Sequence, residues 1–365
     1  MSKKLNFAVL GSGNGGRAFC GQIAGKGYPV VMYEPLNESE EFLKLRKEKE
    51  MFLKGDITTG GKLHDVTMDM EEAIGEADVI FIVVPSFAHQ PIFQKMIPHL
   101  KSGQHIVVVP GNYGGFLLKK MMVDLNIKAG ISISETASLP YACRTTKYNT
   151  VMIHKKKFRL KIATSPRKMN NTVINIINDV FSGFVDYFSG KNLLEIDLEN
   201  FNQILHPLPV LLNYGAIEQH PETFRHYLDG VTPLISKIML KMDDERMAIG
   251  RAFGLQLIST MDQLKLYYGD NDAETIFDYV NSAESPYKDI VGQSVTGRYI
   301  TEDVPGLNVP AIELAKLVGV KVPVTKLCVK LSSTLHEIDY ATEGTTLEKL
   351  GISGKIPEEI ILLGA

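Results

Sequence analysis

Val9-Leu10-Gly11-Ser12-Gly13-Asn14-Gly15-Gly16 is an apolar run that breaks into glycine, and its reading decides the fold. Asn6 to Leu10 has the continuous apolar character of a buried strand, and Arg17 to Gly25 reads as a helix. GxGxxG between a strand and a helix marks a dinucleotide-binding turn. Gly11 makes the tight turn, Gly13 leaves room for a pyrophosphate, and Gly16 lets helix and strand approach. The helix N-terminus then offers N–H donors and a positive dipole end to phosphate. A second strand, Val30 to Tyr33, ends at Glu34, 23 residues beyond Gly11. A carboxylate near the usual offset of about 20 residues accepts hydrogen bonds from ribose hydroxyls and repels a 2′-phosphate. The expected cofactor is NAD, with NADP disfavoured, held by Gly11, Ser12, Gly13, Asn14, Gly15, Gly16 and Glu34. Arg17 works against that preference, because it could reach the pyrophosphate or a ribose phosphate. The bland alternative is a glycine turn followed by a solvent-facing acid.

Working outward, further apolar runs at Val79–Val84, His105–Val109 and Ile131–Ser134 alternate with helical segments, the pattern of βαβ units. The strand ends Val84-Pro85-Ser86 and Val109-Pro110-Gly111-Asn112 should approach the ligand, since open parallel sheets bind beyond their carboxyl ends. Pro85 and Ser86 join the expected cofactor contacts. Ser39 to Phe52 is charged and reads as a peripheral helix. Tyr148–His154 and Phe158–Ile162 read as strands flanking Lys155–Lys157, taken as a turn. Beyond Gly190 helical patterns dominate. Thr232-Pro233 is a helix start, and the pattern continues towards Tyr268 with Gly250 and Gly254 as weak points, suggesting one long bent helix. Shorter helices fit Asp272–Val280, Val309–Leu317 and Val324–His336. The expected fold class is α/β: a Rossmann-type parallel-sheet domain over 1–190, then an all-helical substrate-binding and catalytic domain over 191–365.

Composition narrows the function. Of 365 residues, 44% are hydrophobic, enough for sizeable cores. Lys plus Arg number 39 and Asp plus Glu 42, a formal charge of −3, which argues against a nucleic-acid binder. Cys20, Cys143 and Cys328 form no CxxC pair, so neither a disulfide framework nor a metal site is expected, and a cytoplasmic location follows. No apolar run is long enough to span a bilayer. A homodimer is compatible with the sequence and not fixed by it.

Two segments carry candidate chemistry. Asn202-Gln203-Ile204-Leu205-His206-Pro207 and Asn213-Tyr214 place Asn202, His206 and Asn213 in one direction on a helix of 3.6 residues per turn. Pro207 and Pro209 put His206 near a helix start or kink. His206 sits at the boundary of the two expected domains, where ligand clefts form. It could equally be a hydrogen-bonded core histidine. Gly297-Arg298-Tyr299-Ile300-Thr301-Glu302-Asp303 supplies an arginine able to clamp a carboxylate and an acid able to orient an imidazole. It could equally be a solvated loop with a local ion pair. With no tryptophan in the chain, Tyr141, Tyr214 and Tyr299 are the candidates for an aromatic substrate wall.

At these residues the chain resembles the opine dehydrogenases, the octopine/nopaline dehydrogenase family. GSGNGG, ETASLPYACR (Glu135–Arg144), NQILHP…LLNYGAIE and GRYITEDVPG recur in that order in the family, over nearly the whole chain. The resemblance implies reductive condensation of an amino acid amine with a 2-oxo acid such as pyruvate, using NADH or NADPH. It implies His206 as the catalytic histidine, Asp303 as its partner and Arg298 as the carboxylate-binding arginine. Asn202, Asn213, Tyr141 and Arg144 are the expected substrate contacts, Arg144 being the alternative carboxylate site. After the proline of TEDVP relatives often carry a tyrosine-glycine pair, whereas this chain has Gly306-Leu307-Asn308. A 2-oxo acid reductase without an amine partner and a non-catalytic NAD-binding protein are the rival readings.

Overall fold

The computed structural model describes residues 4–291 and 293–365. The chain divides into two compact units, Met1–Ile196 with Gly364–Ala365, and Asp197–Leu363. Among the described residues no helix is long and apolar enough to cross a membrane.

Among the described residues the first unit contains two sheets. Their strands are β1 (Phe7–Leu10), β2 (Val30–Tyr33), β3 (Glu50–Gly55), β4 (Thr59–Lys62), β5 (Asp65–Thr67), β6 (Val79–Ile82), β7 (His105–Val108), β8 (Ser132–Thr136), β9 (Tyr141–Lys147), β10 (Thr150–Lys156), β11 (Arg159–Ser165) and β12 (Asp186–Ser189). The larger sheet runs β12-β11-β8-β7-β6-β1-β2-β5 and is parallel except where β11 meets β8. β1 pairs with β2 on one side and β6 on the other, so chain order reverses at β1. That reversal is the switch point where open α/β sheets leave a crevice. β1 and β6 are buried throughout, which is why they read as unbroken apolar runs.

The smaller sheet, β4-β3-β10-β9, packs on the far side of helix Asn14–Gly25. A side chain at Gly21 would press on Leu53 and Met51 of β3, so this helix face must stay small. Phe19 on the same helix meets Phe81 and Phe181, each with ring centroids 5.1 Å apart, anchoring the helix to the larger sheet.

Several expectations need correction. The helix expected over Ser39–Phe52 is Glu40–Glu48, capped by the Ser39 hydroxyl and stopped by Lys49 in a left-handed conformation. Met51 and Leu53 are then buried and Glu50, Phe52 and Lys54 exposed, a strand's alternation. Lys155 and Lys156 belong to β10, paired with Ala142 and Tyr141, rather than to a turn. Lys157 is buried and donates to the Ser138 hydroxyl and, at 2.8 Å, to the Leu139 carbonyl. Burial pushes its ammonium down to about 7. The division between units falls at Ile196 rather than Gly190, since Lys191 N–H and Lys161 of β11 both bind the Glu195 carboxylate. Gly364 and Ala365 return to the first unit, where the Ser165 hydroxyl donates to the Ala365 carbonyl at 2.7 Å.

The second unit is helical. The long helix expected over 232–268 is two helices, Pro233–Ala252 and Thr260–Tyr268. Gly254, at φ +70°, ends the first, and the Ser259 hydroxyl caps the second. Arg246 and Asp243 hold the break: Arg246 donates to the Ile258 carbonyl at 2.7 Å, and Asp243 accepts from Thr260 N–H at 2.9 Å. Helices Ile276–Asn281, Val309–Leu317, Pro323–His336 and Pro357–Gly364 complete the frame.

Candidate active site

The glycine loop leaves β1 with Gly11 at φ +118°, a conformation that favours glycine. A Cβ on Gly11 would also overlap the Val83 carbonyl just beyond β6, and one on Gly16 would overlap the Gly11 carbonyl. One on Gly13 would meet nothing within 4 Å, which leaves a small cradle above the helix start. No side chain caps helix Asn14–Gly25 at this end. Uncapped N–H groups beside an open cradle fit a pyrophosphate.

Glu34 stands at the end of β2. Its Oε2 accepts from the Ser12 hydroxyl and its Oε1 accepts from Leu36 N–H at 2.8 Å. Each carboxylate oxygen has a second lone pair for a ribose hydroxyl. Arg17 is committed elsewhere. Its Nε donates to the Ser12 carbonyl and its Nη1 to the Tyr148 carbonyl, both at 2.7 Å, which spends donors that a 2′-phosphate would need. Asn14 accepts from Thr145 N–H at 2.9 Å, so the loop is tied twice to the β9–β10 hairpin. Pro85 and Ser86 lie half-buried where the chain leaves β6 for a short 3₁₀ turn, beside the loop. The residues present therefore fit an NAD-like dinucleotide.

In the second unit the chain runs through three short helices separated by two breaks: Asn202–Leu205, Pro207–Leu212 and Tyr214–Gln219. Proline has no N–H, so Pro207 leaves the Gln203 carbonyl without its helical donor and Pro209 leaves that of Leu205. Both carbonyls find side chains. The Asn308 amide donates to Gln203 at 3.4 Å, and the His226 Nε2–H donates to Leu205 at 3.2 Å. His206 sits at the first break with φ −100° and ψ −58°.

The His206 Nδ1 lies 2.7 Å from Oδ2 of Asp303. A carboxylate on Nδ1 fixes the tautomer and supports the charged form of the imidazole. Asp303 is buried, and that burial pushes its carboxyl well above the usual aspartate value, opposed by the charge of Arg298. The side chain of His206 is 13% exposed, so one edge is open. Tyr299 stacks flat on the imidazole, with centroids 3.7 Å apart and planes 7° apart. His226 stands edge-on to Tyr299 at 4.6 Å and to Tyr227 at 4.6 Å. It is fully buried, and burial, with His206 adding, pushes it down to about 3.

The remaining candidates separate. Arg298 opens the short helix Arg298–Thr301, is 69% exposed and pairs with Glu302 at 3.5 Å, leaving its guanidinium accessible. Asn202 is half-buried beside His206 in the chain. Asn213 does not share a polar stripe with them: its amide donates to the Pro209 and Gly230 carbonyls at 2.8 and 3.0 Å and closes the second break. Arg144 is exposed on β9, next to the Thr145 that binds Asn14. Tyr141 is buried in the first unit against Phe19, at 5.9 Å, and is part of that core rather than a wall. Tyr214 is half-buried at the start of its helix. Tyr299 meets His206 itself. Gly306, Leu307 and Asn308, where the chain departs from its relatives, are buried in a widened helical turn.

Comparison with known proteins bears on this arrangement. Residues 189–336 match the NAD/NADP octopine/nopaline dehydrogenase alpha-helical domain, and residues 6–115 match the N-terminus of NAD-dependent glycerol-3-phosphate dehydrogenase. An opine dehydrogenase from Arthrobacter sp. (strain 1C) is 33% identical, covering 97% of each chain. The chain belongs to the opine dehydrogenase family. A vitopine synthase of Allorhizobium ampelinum is 26% identical, again over 97% of each chain. The fold is that of an octopine dehydrogenase solved with NADH and L-arginine, with a TM-score of 0.80, 20% identity and 98% of each chain covered. The fold brings together His206 and Asp303, which lie 97 residues apart in the chain. His226 and Tyr227, which pack beside them, were not among the residues expected from the sequence. Their only sequence signal was a pair of aromatic residues shortly before the Thr232-Pro233 helix start.

Proposed function

We infer that this protein is an NAD-dependent opine dehydrogenase, joining the amine of an amino acid to a 2-oxo acid such as pyruvate. The observation that carries the reading is the His206–Asp303 bond at 2.7 Å. Bound NADH supplies the hydride. The chain's residues do the rest. His206 takes the proton that an amino acid ammonium must lose before its nitrogen attacks the keto carbon. It returns a proton to the hydroxyl that departs as water when the imine forms. Asp303 holds the imidazole and stabilises it while charged. Arg298, exposed and planar, is suited to a substrate carboxylate. The first unit holds the dinucleotide through the Gly11–Gly16 loop and Glu34. The three cysteines are free thiols, and a cytoplasmic location fits them.

The test follows NADH oxidation with pyruvate across a panel of amino acids and identifies the product by mass spectrometry. The expected product is a secondary-amine dicarboxylate formed only when an amine is present. Equal oxidation with and without amino acids would make the protein a 2-oxo acid reductase. Saturable NADH binding without turnover would make it a non-catalytic binder.

A further inference from the structure

We propose that Tyr299 is a positioning residue for His206, holding the plane of the imidazole and favouring its protonated form through the face of the phenol ring. The inference rests on the acid–base role given to His206 above. It starts from geometry. A hydrogen bond through Nδ1 fixes one point of a ring but does not by itself set the plane. The Tyr299 face, 3.7 Å away and only 7° from parallel, constrains that plane. Neutral rings usually avoid a full face-to-face stack because their quadrupoles repel. A cation over the same face is attracted to it. The arrangement therefore suits an imidazolium better than an imidazole.

Tyr299 is itself held. Its phenol is hydrogen-bonded to that of Tyr227, and the edge of His226 meets its ring at 4.6 Å. His226 is tied by Nε2 to the carbonyl that Pro209 frees, and its Nδ1 is buried without a hydrogen-bond partner. It stays neutral, so the stack gains no second positive charge to oppose that on His206. The other groups facing the pair are Asp303 on Nδ1, Arg298 with Glu302, and Cys328 of helix Pro323–His336 beside Asp303. Of the three tyrosines expected to line the substrate, Tyr299 thus serves the histidine instead.

The experiment titrates the full-length protein, labelled at histidine, by NMR, with His206→Gln identifying the His206 signals. It compares wild type, Tyr299→Phe, Tyr299→Leu and protein carrying pentafluorophenylalanine at position 299. Phenylalanine keeps the negative face; fluorination keeps the shape and removes that face. The expected result is that Tyr299→Phe titrates near wild type, whereas the leucine and fluorinated proteins lose about one pH unit at His206. The limb of the pH–rate profile set by His206 moves down with it, kcat falls about tenfold, and NADH affinity is unchanged. Titration of the leucine and fluorinated proteins like wild type would overturn the proposal. So would a Tyr299→Phe shift as large as that of leucine, which would assign the effect to the hydroxyl. If the leucine protein does not fold, the fluorinated one decides. Failure of the acid–base reading shows separately, as turnover retained by His206→Gln, because the NMR shift needs no turnover.

Discussion

The Ser12 hydroxyl donates to Oε2 of Glu34, so the glycine loop is fastened to the carboxylate expected to hold the ribose. Leu36 N–H, at 2.8 Å, holds the other oxygen. Glu34 is thus aimed before any ligand arrives. Glu34→Ala should weaken NADH binding by about 1.5–3 kcal/mol, as for a hydrogen bond to a charged group. It should also narrow the gap between NADH and NADPH, because the repulsion of a 2′-phosphate goes with the carboxylate. Titration calorimetry with both cofactors checks this. A wild-type preference for NADPH would contradict the role given to Glu34.

Two glycines of the loop should fail in opposite ways. Gly13 has an ordinary φ of −71° and open space around it. Gly13→Ala should keep the wild-type melting temperature and lose about tenfold or more in NADH affinity, since the added methyl fills the pyrophosphate cradle. Gly16→Ala drives its methyl into the Gly11 carbonyl and should cost about 1–3 kcal/mol of stability, as overpacking does. Thermal unfolding beside calorimetry separates the two.

His206→Ala should lose roughly two to four orders of magnitude in kcat and keep its NADH affinity. Asp303→Asn should also slow turnover and disturb the pH profile. Arg298→Lys keeps the charge but loses the planar fork, and should raise KM for a carboxylate substrate.

Acid should unfold this protein through two histidines away from proton exchange. Burial pushes His226 down to about 3 and His89 down to about 4. Both depressed values mean that the unfolded chain binds protons the folded one refuses. Stability is full above the ordinary histidine pKa, near 6.5, and falls as pH drops towards those values, by about 5 kcal/mol for His226 and about 3 for His89. His226→Phe should shift the acid unfolding midpoint down. An unmoved midpoint in a folded variant would show that His226 carries no such penalty.

The parts of the fold that could be read in the chain were those buried on both faces. β1 and β6 announce themselves as apolar runs because they are buried throughout, and β2 and β7 because all but one residue of each is buried. The start of β3, Glu50 to Phe52, reads as the end of a helix because its alternation follows a charged segment without a glycine or proline to mark the change. Gly254 looked like a bend and proved a stop, because only the buried Arg246–Asp243 pair rewards breaking the helix there. The glycine loop with Glu34 was legible because its spacing is local. The histidine's surroundings were not, because His206, His226 and Tyr299 come from three separated stretches that only packing brings together. What could be read at His206 were the prolines, and their consequence, two carbonyls passed to Asn308 and His226, appears only in three dimensions.

The bonds from Asn14 to Thr145 and from Arg17 to Tyr148 each span 131 residues. They turn the β9–β10 hairpin into an adjusting screw for the glycine loop. Cofactor affinity can be tuned by substitutions at 145–149 that slacken or tighten those ties, with every glycine of the fingerprint left in place. The loop's sequence can then stay frozen while its stiffness drifts, and natural variation in how firmly such enzymes hold their cofactor need not be written in the motif that binds it.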